Sequence, residues 1–223
     1  MRNRRKKTRR GKRRGRGLLF IAVIVLLAAG MMAFQGGFPR TADDSLGWNL
    51  MLVNSKYRIP DDYSVDLIRL SNGEQVDSRI YPALQEMFDD ARAAGYSLFV
   101  RAGYRSDEDQ ETLMEDQIET CRQEGYSRRE AEREAEKWVA KPGTSEHELG
   151  LAVDINAEGQ TDGNRLYQWL AEHSWKYGFI LRYPAEKEEI TGIDYEPWHF
   201  RYVGKQAAKE MYEQDLCLEE YVQ

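Results

Sequence analysis

A chain of 223 residues with 41% apolar side chains is long enough for one globular domain with a real core and some sequence outside it. Its net charge of −6 hides a division: residues 1–17 hold 11 of the 32 lysines and arginines and no acid, leaving 21 basic against 38 acidic residues in the rest. So acidic a body argues against nucleic acid as a partner, and the lack of any repeat of 20 to 50 residues excludes a solenoid.

The basic arm, 1–17, leads directly into 18–34 (LLFIAVIVLLAAGMMAF), seventeen residues without a charge, at the short end of what crosses a bilayer as a helix. Arginines on its N-terminal side keep that end cytoplasmic and send the remainder across. The pattern predicts a transmembrane signal anchor, with a cleaved signal peptide left open by the small residues Ala28 to Gly30. The arm itself serves as a topology signal and is suited to touching anionic lipid. A Gly-, Pro- and Asp-rich linker fills 35–47, and the globular domain takes 48–223. Its two cysteines, Cys121 and Cys217, form either one disulfide or two unpaired apolar packing residues.

Within the domain, Leu50 to Val53 is a short apolar run, followed by a turn at Arg58 to Asp62. Ile80, Leu84, Met87, Phe88 and Ala91 mark one face of a helix stopped by Gly95. A strand, Leu98 to Val100, delivers the chain to Gly103-Tyr104-Arg105-Ser106. Ser106 N-caps a helix whose inward stripe is Leu113, Met114, Ile118 and Cys121. Ser127 and Glu130 form a capping box for the next, with Ala131, Ala135, Trp138 and Val139 facing inward. A buried strand then runs through Ala152 to Ile155, a helix covers about Asn164 to Tyr177, and strands follow at Gly178 to Tyr183 and Tyr195 to Val203. One helix closes the chain. Short consecutive strands with helices at both ends predict an α+β fold, a small and mainly antiparallel sheet flanked by helices.

Chemistry concentrates in two of these segments. In Ser145-Glu146-His147-Glu148-Leu149-Gly150-Leu151-Ala152-Val153-Asp154 a histidine beside turn formers is followed, seven residues on, by an aspartate inside an apolar run. A buried lone carboxylate needs a cation, so Asp154 pairs with an arginine, Arg101 or Arg105, or binds a metal. His147, Asp154 and His199 together make three ligands for a tetrahedral Zn²⁺ with the fourth position open. Glu196 joins them only if the chain bends at Pro197, since the strand period is two. The third histidine, His173, reads as a helix-surface residue.

The segment from Ser145 to Asp154 matches an SxHxxGxAxD motif, and Glu196-Pro197-Trp198-His199 an ExxH motif. With the Gly103 to Ser106 arginine segment upstream, these resemble the zinc D-alanyl-D-alanine carboxypeptidases of the VanY type, over about Leu50 to Gly204. The resemblance implies the hedgehog/D,D-peptidase-like fold and one zinc ion on His147, Asp154 and His199. Glu196 would be the general base that activates zinc-bound water, and Arg105 would stabilise the oxyanion or hold the substrate carboxylate. Ser145 is implied as a substrate contact, with Gln110 and Tyr104 as further candidates. The substrate would be a peptidoglycan stem peptide losing its terminal D-Ala, cut outside the cytoplasmic membrane. A tetrapeptide-specific L,D-carboxypeptidase and a wall-binding module without catalysis are the alternatives. Ala102 stands where relatives often have serine, and the acidic helical segment Asp107 to Val139 is longer than a minimal enzyme needs.

Overall fold

The computed structural model describes residues 39–223. The basic arm, the apolar stretch 18–34 and the first residues of the linker lie outside the described residues, among which no helix is long and apolar enough to cross a membrane. The chain enters through two short pairs of strands, β1 (Arg40–Thr41) with β2 (Tyr57–Arg58) and the hairpin β3 (Leu67–Arg69) with β4 (Gln75–Asp77). Helix α1 (Tyr81–Ala93) follows, with Leu84, Met87, Phe88 and Ala91 buried as their spacing predicts. Strand β5 (Leu98–Ala102) then opens the principal sheet. Two helices, α2 (Asp107–Gln123) and α3 (Arg128–Ala135), intervene before β6 (Ala152–Ala157). Helix α4 (Gly163–His173), strand β7 (Phe179–Leu181), the single turn α5 (Glu188–Thr191) and strand β8 (His199–Tyr202) complete the middle of the chain. Helices α6 (Lys205–Gln214) and α7 (Leu218–Tyr221) end it.

The principal sheet has strand order β5-β6-β8-β7, and every neighbouring pair is antiparallel. This is the α+β arrangement expected. The core lies between that sheet and helices α1 and α4, where Leu84, Met87, Val153, Ile155, Leu166 and Phe200 interlock. Burying side chains of this size contributes roughly 1.5–3 kcal/mol each. A second cluster, Ile180, Val203, Ala208, Met211 and Leu218, seats α6 and α7 on the sheet edge.

Both predicted helix caps form. Ser106 Oγ accepts from Asp109 N at 3.2 Å while Asp109 accepts from Ser106 N at 3.3 Å, and Ser127 N donates to Glu130 at 3.0 Å in the same reciprocal way. The α2–α3 hairpin holds a core of its own, Met114, Ile118, Cys121, Ala131, Ala135 and Val139. Two residues expected in it are not there: Leu113 is 37% and Trp138 46% exposed. Leu113 is one residue, about 100° of helix, off the Met114–Ile118–Cys121 stripe. Trp138 lies beyond the end of α3, on an irregular stretch where helical spacing no longer sets direction.

The final helix is two. Asp215, in the left-handed region at φ 53°, breaks α6 from α7. Cys121 and Cys217 are buried free thiols. His173 is half-buried, stacked on Trp169 with ring centroids 4.7 Å apart, its Nδ1 donating to the Trp169 carbonyl at 2.8 Å.

Candidate active site

Register builds the site. In the β6–β8 pair Asp154 stands directly opposite His199, so both side chains leave the same face of the sheet. His147 arrives from the turn before β6, which is closed by Glu148 N to Ser145 O (3.1 Å) and Gly150 N to His147 O (3.0 Å). The Glu148 carboxylate accepts from the amides of Gly143 and Ser145 and holds the turn from inside. Gly150 is required there: its φ is +71°, and a Cβ would sit 3.0 Å from the Asp77 nitrogen. Gly103 is required for a different reason. A Cβ on it would lie 2.2 Å from the Gln75 carbonyl, and only without one does its own carbonyl reach the His147 ring.

That contact fixes a tautomer. His147 Nδ1 donates to Gly103 O at 2.7 Å, so Nε2 carries the lone pair and faces Asp154 Oδ1 at 3.4 Å. From the other side His199 Nδ1 lies 3.2 Å from the same oxygen. Asp154 splits its two oxygens: Oδ2 accepts from Arg105 Nη2 at 3.2 Å, while Oδ1 is buried with no hydrogen-bond partner among the described residues. Of the sequence alternatives for Asp154, the arginine pairing is met on Oδ2, and Oδ1 is left facing the two imidazoles. Arg101, the other arginine considered, is exposed.

Pro197 and Trp198 form the expected bend, closed by His199 N to Glu196 O at 3.2 Å, and it brings Glu196 Oε2 to 3.5 Å from His199 Nδ1. Arg105 Nη1 donates to Gln110 Oε1 at 3.1 Å, and Gln110, fully buried on α2, donates to the Ala140 carbonyl at 2.7 Å. Ser145 Oγ accepts from His147 N at 3.3 Å. These side chains face one cavity of about 240 Å³, rimmed by Leu113, Trp138 and Ile193. Tyr104 does not join them. Its side chain lines a neighbouring hollow with Tyr63 and Thr144, since adjacent residues along an extended stretch take opposite sides.

Electrostatics separate the groups. Burial pushes the Glu196 carboxyl up to about 7, against the pull of His199 and Arg105. Burial works against protonation of His199, but the Asp154 and Glu146 carboxylates beside it outweigh that and hold it up to about 9. His147 is held down by burial and by Arg105. Burial raises Asp154, yet the two imidazoles win and keep it well below the usual carboxylate range. One carboxyl is therefore poised to exchange a proton near neutrality while its neighbour stays an anion.

The donor atoms of His147, Asp154 and His199 lie within 4.8 Å of one another. Two imidazole nitrogens and an orphaned carboxylate oxygen, open on one side to a cavity, suit a divalent ion of the zinc type with a position left for a reactant. Sequence reasoning missed a buried group behind them: Glu146, Arg182, Arg201 and Glu219. A signal was present, because a single arginine inside each of two otherwise apolar strand stretches demands a buried acid.

The sequence model of the VanY family, D-alanyl-D-alanine carboxypeptidase, matches residues 73–205. A D-alanyl-D-alanine carboxypeptidase of Enterococcus faecalis is 53% identical over 180 residues, covering 80% of this chain and 67% of the relative. The solved structure of VanYB in complex with D-alanine-D-alanine superposes with a TM-score of 0.77 at 54% identity, covering 78% of this chain and 97% of that one. A vancomycin resistance D,D-pentapeptidase VanY variant in complex with Zn(II) gives 0.77 at 53% identity, covering 79% and 99%. A family match over more than half the chain and relatives more than half identical lead to one conclusion: the chain belongs to the VanY family of D-alanyl-D-alanine carboxypeptidases.

Proposed function

We propose that the chain is a zinc-dependent D,D-carboxypeptidase that removes the C-terminal D-alanine from peptidoglycan stem peptides. The observation that carries the reading is the convergence of the His147, Asp154 and His199 donor atoms beside Glu196 in one cavity. Relatives solved with Zn(II) and with D-alanine-D-alanine support it. His147, Asp154 and His199 would hold the ion. Bound zinc supplies Lewis acidity, acidifying water and polarising the scissile carbonyl.

The protein's own residues do the rest. Glu196 takes the proton of the attacking water and returns it to the amine of the departing D-alanine, a task matched by a carboxyl poised at about 7. Arg105, fixed by Asp154 on one nitrogen and Gln110 on the other, presents a preoriented cation to the peptide carboxylate or the developing oxyanion. Ser145 accepts the His147 amide hydrogen, which leaves its own proton for a substrate oxygen. The apolar stretch 18–34 belongs to the same proposal, as the anchor that holds the domain outside the bacterial cytoplasmic membrane, where the stem peptides are.

The test is D-alanine release from defined muropeptides, with and without chelator. Pentapeptide should be trimmed, zinc should restore activity after chelation, and tetrapeptide should be a poor substrate. A zinc-loaded chain that releases nothing from pentapeptide refutes the reading.

A further inference from the structure

Glu146, between Ser145 and His147, is only 2% exposed. Its Oε1 accepts from Arg182 Nε at 2.7 Å and lies 3.0 Å from Arg201 Nη1. Arg182 donates through both terminal nitrogens to Glu219, at 2.8 and 2.7 Å. Arg201 is tied to the backbone carbonyls of Asn49, Met51 and Tyr202. Both arginine side chains are fully buried. Desolvating four charges is expensive, and packed apolar residues often serve stability as well, so stability alone is a weak reason for this cluster.

The other oxygen of Glu146 gives a better reason. Oε2 faces His199 Nε2 at 3.5 Å, and both atoms are buried with no hydrogen-bond partner among the described residues. His199 turns its remaining nitrogen, Nδ1, to Asp154 Oδ1. An imidazole that gives one nitrogen to a metal ordinarily donates from the other to a carboxylate or carbonyl, which sets ring orientation and tautomer. His147 already has such a partner in the Gly103 carbonyl. His199 has Glu146.

We propose that Glu146 is a positioning residue for the metal centre: clamped by Arg182 and Arg201, it accepts the Nε2 proton of His199 and so directs Nδ1 at the ion. Glu219 of α7 steadies Arg182 from behind. It lies beyond residue 205, where the family match ends, so support for a metal ligand reaches into the C-terminal helix. The inference deepens the zinc reading and rests on it.

The experiment measures, on the full chain, zinc Kd by competition with a chromophoric chelator and the visible absorption of the cobalt-substituted protein. The parent, Glu146→Gln and Glu219→Gln are compared, with melting of the chelated forms recorded alongside. Glu146→Gln should raise Kd about 10- to 100-fold and shift the cobalt bands, and Glu219→Gln should raise Kd by a smaller factor. A Glu146→Gln protein that melts lower yet keeps the parent Kd and spectrum makes the role purely structural and overturns the proposal. Should Glu146→Gln not fold, an unchanged Kd in Glu219→Gln overturns it instead. A parent that binds no zinc overturns the metal reading beneath it, a result distinct from either.

Discussion

At Glu196 the demands of chemistry and of stability oppose each other. An unperturbed glutamate ionises near 4.5, whereas burial in this site pushes the carboxyl up to about 7. Between those values the native state keeps a proton that the unfolded chain has released, so stability falls as pH rises through the window and stays lower above it. At pH 8 the cost of holding the buried carboxylate is on the order of 3 kcal/mol. Glu196→Gln removes the titrating group while keeping its shape. With metal stripped by chelator, the variant should melt above the parent at pH 8, and the difference should vanish near pH 4. Loaded with zinc, it should keep its metal affinity, since Glu196 is not a ligand in this reading, and lose kcat by about 100- to 10,000-fold. Calorimetry at the two pH values checks the first half. Equal melting temperatures at pH 8 would show that the carboxylate is held at no cost.

At the scale of elements, the α2–α3 hairpin separates what local sequence encodes from what it does not. Its caps were legible because Ser106 with Asp109 and Ser127 with Glu130 act over three residues. The grouping of His147, Asp154 and His199 was implied by the motif resemblance, but the strand pairing that sets Asp154 against His199 joins residues 45 apart and no local signal announced it. The fate of Leu113 and Trp138 was not legible. Leu113 sits beside the buried stripe and Trp138 past the end of α3, and only the placement of the hairpin over the cavity makes them part of its lining. The Glu146–Arg182–Glu219 chain was hidden for a related reason: its partners are 36 and 37 residues apart, and no periodicity links them. Tyr104 lies outside the cavity because adjacent residues along an extended stretch take opposite sides. The rim makes its own prediction. Trp138→Ala should lower kcat/KM on pentapeptide about tenfold, through KM, because losing an apolar contact of this size costs on the order of 1–2 kcal/mol. Trp138 is 46% exposed, so the melting temperature should hardly move. Kinetics on pentapeptide and on the short D-Ala-D-Ala dipeptide separate the explanations, for a rim that grips the body of the peptide should leave the dipeptide unaffected. An equal loss on both substrates would assign Trp138 to the shape of the cavity instead.

At the scale of the whole molecule, the distribution of charge and apolarity sets the remaining expectation. Residues 1–17 are wholly basic in their charge and 18–34 carry none, while the rest balances to −17. A basic flank that stays inside and an apolar stretch just long enough to span would hold an acidic domain on the far side of the membrane, close to its wall substrate. Pro39–Gln223 forms a compact unit with its own sheet, core and His147–Asp154–His199 cluster. Two fractions of one culture therefore decide the matter. The full chain should pellet with membranes, resist extraction by carbonate, and be degraded when protease is added outside spheroplasts. The chain begun at Pro39 should fold, bind zinc and release D-alanine in the soluble fraction. A full chain that washes off with carbonate is not anchored by 18–34. One that resists both carbonate and external protease has the opposite orientation, with its acidic domain on the side away from any stem peptide.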